Sequence, residues 1–394
     1  MQRGLKPMQR ILPPAMLGVI GGGQLGRYFV LAAQRLGYRV AVLDPDRGSP
    51  AMQVADKRIV APYNDPAALE RMGKRCEAVT VEFESVPAGS VAHLERHCVT
   101  APRAESIAIL QDRVLEKRFV RGIGLPCAPF TPVMVAGDLA SAGCYPGILK
   151  IARQGYDGKG QVHVKNAAEA LAAWQNLGEA ACVLERRMQL DLELSVVVAR
   201  SADGAVRIFP AAENRHRTGI LELSVVPARV SPLLAERAAQ HAQRVAECLD
   251  YVGVLAVEFF VSEGQLLVNE IAPRPHNSGH YTLEATATSQ FEQQVRALCG
   301  MPLGDTTLAR PAAMLNLLGD AWSSGEPDWQ TVLGDSQGVL HLYGKAQART
   351  GRKMGHITVL RESAADAAAQ AEACLERLER GAREAALRVR KQAA

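Results

Sequence analysis

The stretch Val254 to Thr282, VLAVEFFVSEGQLLVNEIAPRPHNSGHYT, limits what this chain can fold into more than any other. A run rich in Val, Leu and Phe and a second run, Leu266 to Ile271, flank a short link containing Gly264. That pattern predicts a β-hairpin. A three-residue loop centred on Gly264 would set Glu258 directly opposite Glu270, and a neighbouring register would leave them diagonal on one face. Like charges facing each other destabilise a sheet. At ~5 Å and an effective dielectric of ~20 their repulsion is roughly 3 kcal/mol. A divalent cation would offset it. Two carboxylates with the amide oxygen of Asn269 make an all-oxygen donor set, which suits Mg²⁺ and leaves room for phosphate oxygens. A lone acidic pair is more often simply solvated, but both runs are too apolar for a fully wet sheet. The tail Ala272-Pro-Arg-Pro-His-Asn-Ser-Gly279 then places Arg274 and His276 beside the acids, where an anionic substrate could sit.

A chain of 394 residues is too long for one ordinary core, so two or three domains are expected. The net charge of +4 is too slight to argue for nucleic acid or a membrane surface. Anion affinity must come from local clusters. Eight cysteines are scattered without a CxxC or a metal-ligand spacing, which predicts reduced thiols in a cytoplasmic protein. No run approaches the ~20 apolar residues of a membrane span. Residues 1–15 read as a disordered extension broken by Pro13 and Pro14, with the first strand starting at Met16.

Residues 16–113 alternate strand and helix, the pattern of a parallel sheet with helices on both faces. Gly21-x-Gly23-x-x-Gly26 follows a strand and opens a helix, and Asp44 ends the next strand. That matches a dinucleotide fingerprint. Two other readings compete: a glycine turn that holds another phosphate at a helix N-terminus, and a tight turn with no ligand. Gln24 within the turn decides nothing by itself.

A second unit follows. Gly155-Tyr156-Asp157-Gly158-Lys159-Gly160-Gln161 has three glycines in seven residues, which lets backbone amides approach an anion closely. Lys159 and Lys150 would add positive charge. The spacing is not that of a Walker loop. Glu185 ends one predicted strand and Glu193 starts another, and either could meet a nucleotide base or ribose. Glu213 to Gly219, including His216, reads as a long loop. Past residue 308 the chain shows short strands, a basic cluster at Lys345 and Arg349 to Lys353, and a helical Ala/Glu/Arg-rich end.

Together the segments GGGQLGR, VTVEFE, GYDGKGQ, ENRHRTGI, VEFF, VNEIAPRPHNSGHYT and GKAQARTGRKMGHI resemble the ATP-grasp superfamily. Within it the chain is similar to the 5-(carboxyamino)imidazole ribonucleotide synthases over roughly residues 16–365. The resemblance implies a mixed α/β and α+β fold: a Rossmann-like pre-ATP-grasp domain (16–113), an ATP-grasp domain (114–308, with a glycine-loop subdomain at about 120–190) and a small β-rich C-terminal segment with a terminal helix (309–394).

It also implies a carbon–nitrogen ligase that uses ATP and bicarbonate to carboxylate aminoimidazole ribonucleotide through carboxyphosphate. By matching position, Arg113, Lys150, residues 155–161, the segment Glu185, Arg186, Arg187 and Met188, and Glu193, His216, Asn269 and Glu270 would contact ATP. Glu258 and Glu270 would hold Mg²⁺, with Mn²⁺ as the alternative ion. Gln24, Arg274, His276, Asn277, Ser278, Lys345 and Arg352 would surround the ribonucleotide. Tyr156, Asp157, Arg274 and Lys345 are the expected catalytic set. The family implies a cytoplasmic homodimer, with no nucleic-acid or membrane partner. The alternatives are another ATP-grasp ribonucleotide ligase, such as the formate-using glycinamide ribonucleotide transformylase, and a nicotinamide-dependent oxidoreductase built on Gly21, Gly23, Gly26 and Asp44. A catalytically dead scaffold is opposed by the intact Glu258, Glu270, Lys150 and Lys159. Lys345→Ala should raise KM for the ribonucleotide and spare that for ATP in steady-state kinetics; the reverse would show the two pockets interchanged.

Overall fold

The computed structural model describes residues 10–153, 155, 160–334 and 337–392. The first unit contains β1 (Met16–Ile20), α1 (Gln24–Arg35), β2 (Arg39–Asp44), β3 (Lys57–Val60), α2 (Pro66–Arg75), β4 (Ala78–Val81), α3 (Ala88–Leu94) and β5 (Val99–Thr100). Its five strands are parallel in the order β3-β2-β1-β4-β5. Every residue of β1 and β4 is buried, as expected of parallel strands covered on both faces. Met72, Val91 and Leu94 cover one face, while Phe29 and Val30 cover the other.

Helices α4 (Ala104–Leu110) and α5 (Arg113–Gly122) lead out of this unit. Asp112 caps α5 by accepting from the Val114 and Leu115 amides, an acid placed where a helix start favours one. A small antiparallel lobe follows: β6 (Phe130–Val133), α6 (Ala136–Ala140), β7 (Gly147–Ile151), β8 (Gln161–Val164), α7 (Ala167–Asn176) and β9 (Cys182–Arg186). Its strand order is β6-β9-β7-β8.

Among the described residues the largest sheet has nine strands. It contains β10 (Leu192–Arg200), β11 (Val206–Ile208), β12 (Ala212–Arg217), β13 (Ile220–Val226), β14 (Gly253–Ser262) and β15 (Gln265–Ala272), with α8 (Pro232–Cys248) packed on it. Past α9 (Thr282–Ala285) and α10 (Gln290–Leu298) come β16 (Ala312–Leu318), α11 (Gln330–Leu333), β17 (Gly338–Leu342), β18 (Lys353–Leu360) and α12 (Ala364–Gln392). The order is β15-β14-β10-β12-β13-β16-β18-β17, with β11 pairing β10.

The structure refines three expectations. Residues 213–219 are not a long loop: β12 and β13 form a hairpin turning at Thr218 and Gly219, both at positive φ. The unit expected from residue 309 onward shares one continuous sheet with the unit before it, because β13 pairs directly with β16. And residues 10–15 are not loose. The Ile11 amide donates to the Cys299 carbonyl (3.0 Å), and the Tyr38 hydroxyl donates to the Ile11 carbonyl (2.7 Å).

The first unit is stapled to the large sheet by α10. Its Val295 and Leu298 enter the same core as Phe29 and Val30. Gln294 spans the junction. Its Oε1 accepts from the Val254 amide (2.6 Å), and its Nε2 donates to Thr80 Oγ1 (2.9 Å) and the Ala101 carbonyl (3.1 Å). Gly253, at φ 118°, leaves room for that side chain, since a Cβ there would collide with the Gln294 carboxamide. Gln294→Leu strips partners from buried polar groups on both sides of the junction and should cost about 1–3 kcal/mol, seen as a lower urea midpoint.

Candidate active site

The hairpin that carries the acids reaches its register by a different route from the predicted one. Its loop has two residues, Glu263 and Gly264, both at positive φ, the left-handed pair a tight hairpin turn needs. From Ser262↔Gln265 the pairing runs one to one as far as Phe259↔Val268. Continued unchanged, it would set Glu258 against Asn269 and turn Glu270 to the other face. Instead the register shifts, Asn269 is the extra residue, and Glu258 pairs with Glu270. Both acids therefore share one face.

Each acid has a basic side chain as partner. Glu258 Oε1 lies 3.0 Å from His276 Nε2, and Glu270 Oε2 accepts from Arg113 Nη1 at 2.9 Å. Burial raises the Glu258 pKa, but the His276 hydrogen bond and the charges of His276, His216 and Lys353 outweigh it and hold the group below the usual carboxylate range. The other oxygen of each acid has no hydrogen bond among the described residues. Two hard carboxylates on one face, each with an oxygen to spare, fit Mg²⁺ or Mn²⁺. His276 is held by its surroundings. Its Nδ1 is 2.8 Å from Ser278 Oγ, which takes a 2.7 Å hydrogen bond from Ser195 Oγ. The Gln290 carboxamide grips the His276 backbone at both N and O. Neighbouring Asn277 is buried with neither amide atom hydrogen-bonded among the described residues.

Arg113 reaches from the start of α5 to Glu270 and, through Nη2, to the Gly155 carbonyl (3.0 Å). It lines a cavity of about 360 Å³ with Glu84, Gln111, Arg153, Gly155 and Glu270. Across the lobe boundary Glu185 is buried between two lysines, with Lys117 and Lys150 each 3.1 Å away. Burial pushes the Glu185 pKa up, yet the two ammonium charges bring it down to about 2. Lys150 sits opposite Gln161, as a hairpin around the glycine loop requires. Gly155, Gly160 and Gln161 are placed, whereas Tyr156, Asp157, Gly158 and Lys159 lie outside the described residues. Arg186 and Arg187 are exposed at the end of β9, with Met188 just past it. Glu193 meets His216 at 3.0 Å across neighbouring strands β10 and β12. Burial lowers the His216 pKa, but Glu193 and Glu258 outweigh it and raise the value.

Arg274 pairs with Glu84 of the first unit. Lys345 and Arg352 lie on the β17–β18 connection. Lys345 Nζ donates to the Lys353 carbonyl (2.6 Å), and Arg352 Nη1 donates to the Gln347 carbonyl (2.9 Å). Gln53 of the first unit donates to the Gly344 carbonyl (2.7 Å), which ties this connection to the first unit.

The glycine turn after β1 answers the dinucleotide reading. The Glu82 carboxylate accepts from the Gly23 amide (2.8 Å) and the Gly26 amide (2.9 Å). Asp44 Oδ2 accepts from the Gly22 amide (2.6 Å) and the Tyr63 hydroxyl (2.7 Å). The chain's own acids occupy the donors a pyrophosphate would need, and a Cβ on Gly23 would strike Glu82. The turn is closed.

Sequence reasoning missed Glu116 and Lys117, which look like ordinary helix-surface charges yet are buried under the hairpin. It also missed the junction of Glu284, His341 and His356, whose donor atoms lie within 4.8 Å of one another. His341 and His356 stack at 4.4 Å and 14°, and His280 stacks on His356 at 4.7 Å. Nearly parallel rings cannot both aim an in-plane lone pair at one ion, so this trio packs the junction.

An acidic hairpin opposed by a separate lysine-bearing lobe is the layout of the ATP-grasp class, and residues 118–291 match the family described as the ATP-grasp domain. Residues 15–111 match the ribonucleotide synthetase preATP-grasp domain, and 312–370 the phosphoribosylaminoimidazole carboxylase C-terminal domain. The N5-carboxyaminoimidazole ribonucleotide synthase of Bacillus subtilis is 44% identical over 90% of this chain and 93% of its own length. The synthetase of that name from Thermus thermophilus superposes with a TM-score of 0.85 at 42% identity, covering 93% of this chain and 98% of its own. The Aspergillus clavatus enzyme, solved in complex with ADP and 5-aminoimidazole ribonucleotide, superposes at 0.84 with 32% identity, covering 93% and 99%. The chain belongs to the N5-carboxyaminoimidazole ribonucleotide synthase family. Among the described residues no helix is long and apolar enough to cross a membrane.

Glu185 supplies a pH test. Its folded pKa is depressed, so its stabilisation is present above the unfolded value of about 4.3 and is lost as pH falls towards about 2. Glu185→Gln should therefore be less stable than wild type by a constant margin above about pH 5, and the margin should shrink between about pH 4 and pH 2 in urea titrations.

Proposed function

We propose that this chain carboxylates 5-aminoimidazole ribonucleotide with bicarbonate and ATP, forming 5-(carboxyamino)imidazole ribonucleotide for purine synthesis. The observation that carries the reading is the shared face of Glu258 and Glu270, with Arg113 paired to Glu270 and His276 to Glu258. A bicarbonate oxygen displaces ADP from the γ-phosphorus, giving carboxyphosphate. Loss of phosphate releases CO₂. The exocyclic amine adds to the CO₂ carbon and gives up a proton, leaving the carbamate.

In this reading Glu258 and Glu270 hold Mg²⁺ or Mn²⁺, which would neutralise charge on the β- and γ-phosphates during transfer. Arg113 and Lys150 carry phosphate oxygens, together with the amides of residues 155–161. Glu185, the 186–188 segment, Glu193, His216 and Asn269 bind the nucleoside end and its phosphates. Before ATP arrives, the buried Lys117–Glu185–Lys150 chain keeps those cations in place. Arg274 and His276 frame the reacting anion, and Lys345 and Arg352 take the ribonucleotide phosphate as charge-assisted contacts. Gln24, Asn277 and Ser278 complete that pocket, with the Asn277 amide still to be hydrogen-bonded. Asp157 orients the amine, and Tyr156 serves with it in catalysis. Excluding water matters because carboxyphosphate hydrolyses readily. The reading extends to working units of 16–113, 114–308 and 309–394, and to a homodimer in the cytoplasm.

Purified protein with ATP and aminoimidazole ribonucleotide should release phosphate only when bicarbonate is present; dependence on formate would favour a transformylase instead. Glu270→Gln should lower that rate at least ~100-fold while circular dichroism stays unchanged. Near-normal turnover by that variant would remove the metal assignment.

A further inference from the structure

Helix α5 carries two adjacent buried ionisable side chains, and the nucleotide reading gives work only to the contact of Lys117 with Glu185. Glu116 is 2% exposed and Lys117 1%. Stability alone does not call for them, because a buried ionic group can often be replaced by well-packed apolar side chains at no loss. Their partners are specific. The Ile271 amide donates to Glu116 Oε1 at 2.6 Å, and Lys117 Nζ donates to the Asn269 carbonyl at 2.8 Å. These two backbone groups bracket Glu270. They lie on β15, the edge strand of the large sheet, at the point where Asn269 is inserted.

An inserted residue breaks the ladder and leaves backbone groups without strand partners. The competing arrangement keeps the same turn, omits the shift, and sends Glu270 to the face away from Glu258. Glu116 and Lys117 satisfy backbone groups on either side of Glu270, and the Val268 amide is met by the Pro126 carbonyl (2.8 Å). The same Lys117 ammonium reaches Glu185, whose other oxygen meets Lys150 of the small lobe.

We propose that Glu116 and Lys117 are positioning residues: they lock the inserted residue that brings Glu270 onto the face of Glu258, and Lys117 couples that lock to the lobe bearing Lys150. The inference rests on the nucleotide-site reading given above.

The test is calorimetric binding of a non-hydrolysable ATP analogue, β,γ-imido-ATP, to the full chain with Mg²⁺ or with EDTA. Wild type should bind at least ~10-fold more tightly with Mg²⁺. In Lys117→Met that factor should fall below ~2-fold. A folded Lys117→Met chain that keeps the full Mg²⁺ factor overturns the proposal. Should that variant not fold, the Glu116 pair decides. Glu116→Ala should lose the Mg²⁺ factor, and Glu116→Gln, whose carboxamide still accepts from the Ile271 amide, should restore most of it. Equal factors in the two overturn the proposal. A wild-type chain with no Mg²⁺-strengthened binding overturns the nucleotide reading and this inference together. A wild-type chain that shows it, beside variants that keep it, overturns this inference alone.

Discussion

The extra residue at Asn269 decides on which face of the sheet Glu270 lies, and the rest of the site is arranged around that choice. Side chains alternate along a strand, so one residue more or less exchanges every position between faces. The two-residue turn at Glu263 and Gly264 would by itself part the two acids. The shift beside Glu258 reunites them. Strand β15 is at the sheet edge, where backbone groups would otherwise be open to water or to another chain. The segment from Arg113 to Cys127 covers that edge with side chains and with its own backbone, and Cys127 bridges Val268. The element that finishes the edge also delivers Arg113 to Glu270.

Charges in this region are paired before any substrate arrives. Glu258 has His276, Glu270 has Arg113, Glu185 has two lysines, and Glu193 has His216. Pairing is what makes burial of so many acids tolerable, since an isolated buried charge is costly. It also means that any anion drawn to these cations would have to displace a carboxylate already on them. The first unit follows the same rule in a closed form, because Glu82 already satisfies the amides at the start of α1. A glycine pattern that in other proteins opens a turn to phosphate here admits a carboxylate of the same chain.

The three parts meet through side chains that leave little slack. Gln294 joins β4 to β14, α10 shares a core with α1, and the β12–β13 hairpin continues directly into the C-terminal strands. Tyr28 packs against His280, Phe291 and Tyr343, which brings side chains of all three parts into one contact group. This continuity sets where Lys345 and Arg352 stand relative to the acids.

Much of this was legible in the chain because it is encoded locally. The alternating strands and helices of residues 16–100, the acidic hairpin, the lysine before the glycine loop and the late basic connection all follow from period, turn residues and charge read over short windows. Other features depend on residues far apart in sequence. Glu116 and Lys117 look like solvated helix charges until β15 is packed against them. The glycine turn reads as a ligand cradle until Glu82, 59 residues beyond Gly23, fills it. Residues 213–219 read as a loop until β10 and β13 pair with that segment. The residue types and their order were enough to place two carboxylates in one hairpin. The shared face of those acids was decided by an insertion held from another helix, because register is a property of strands in contact and not of either strand alone.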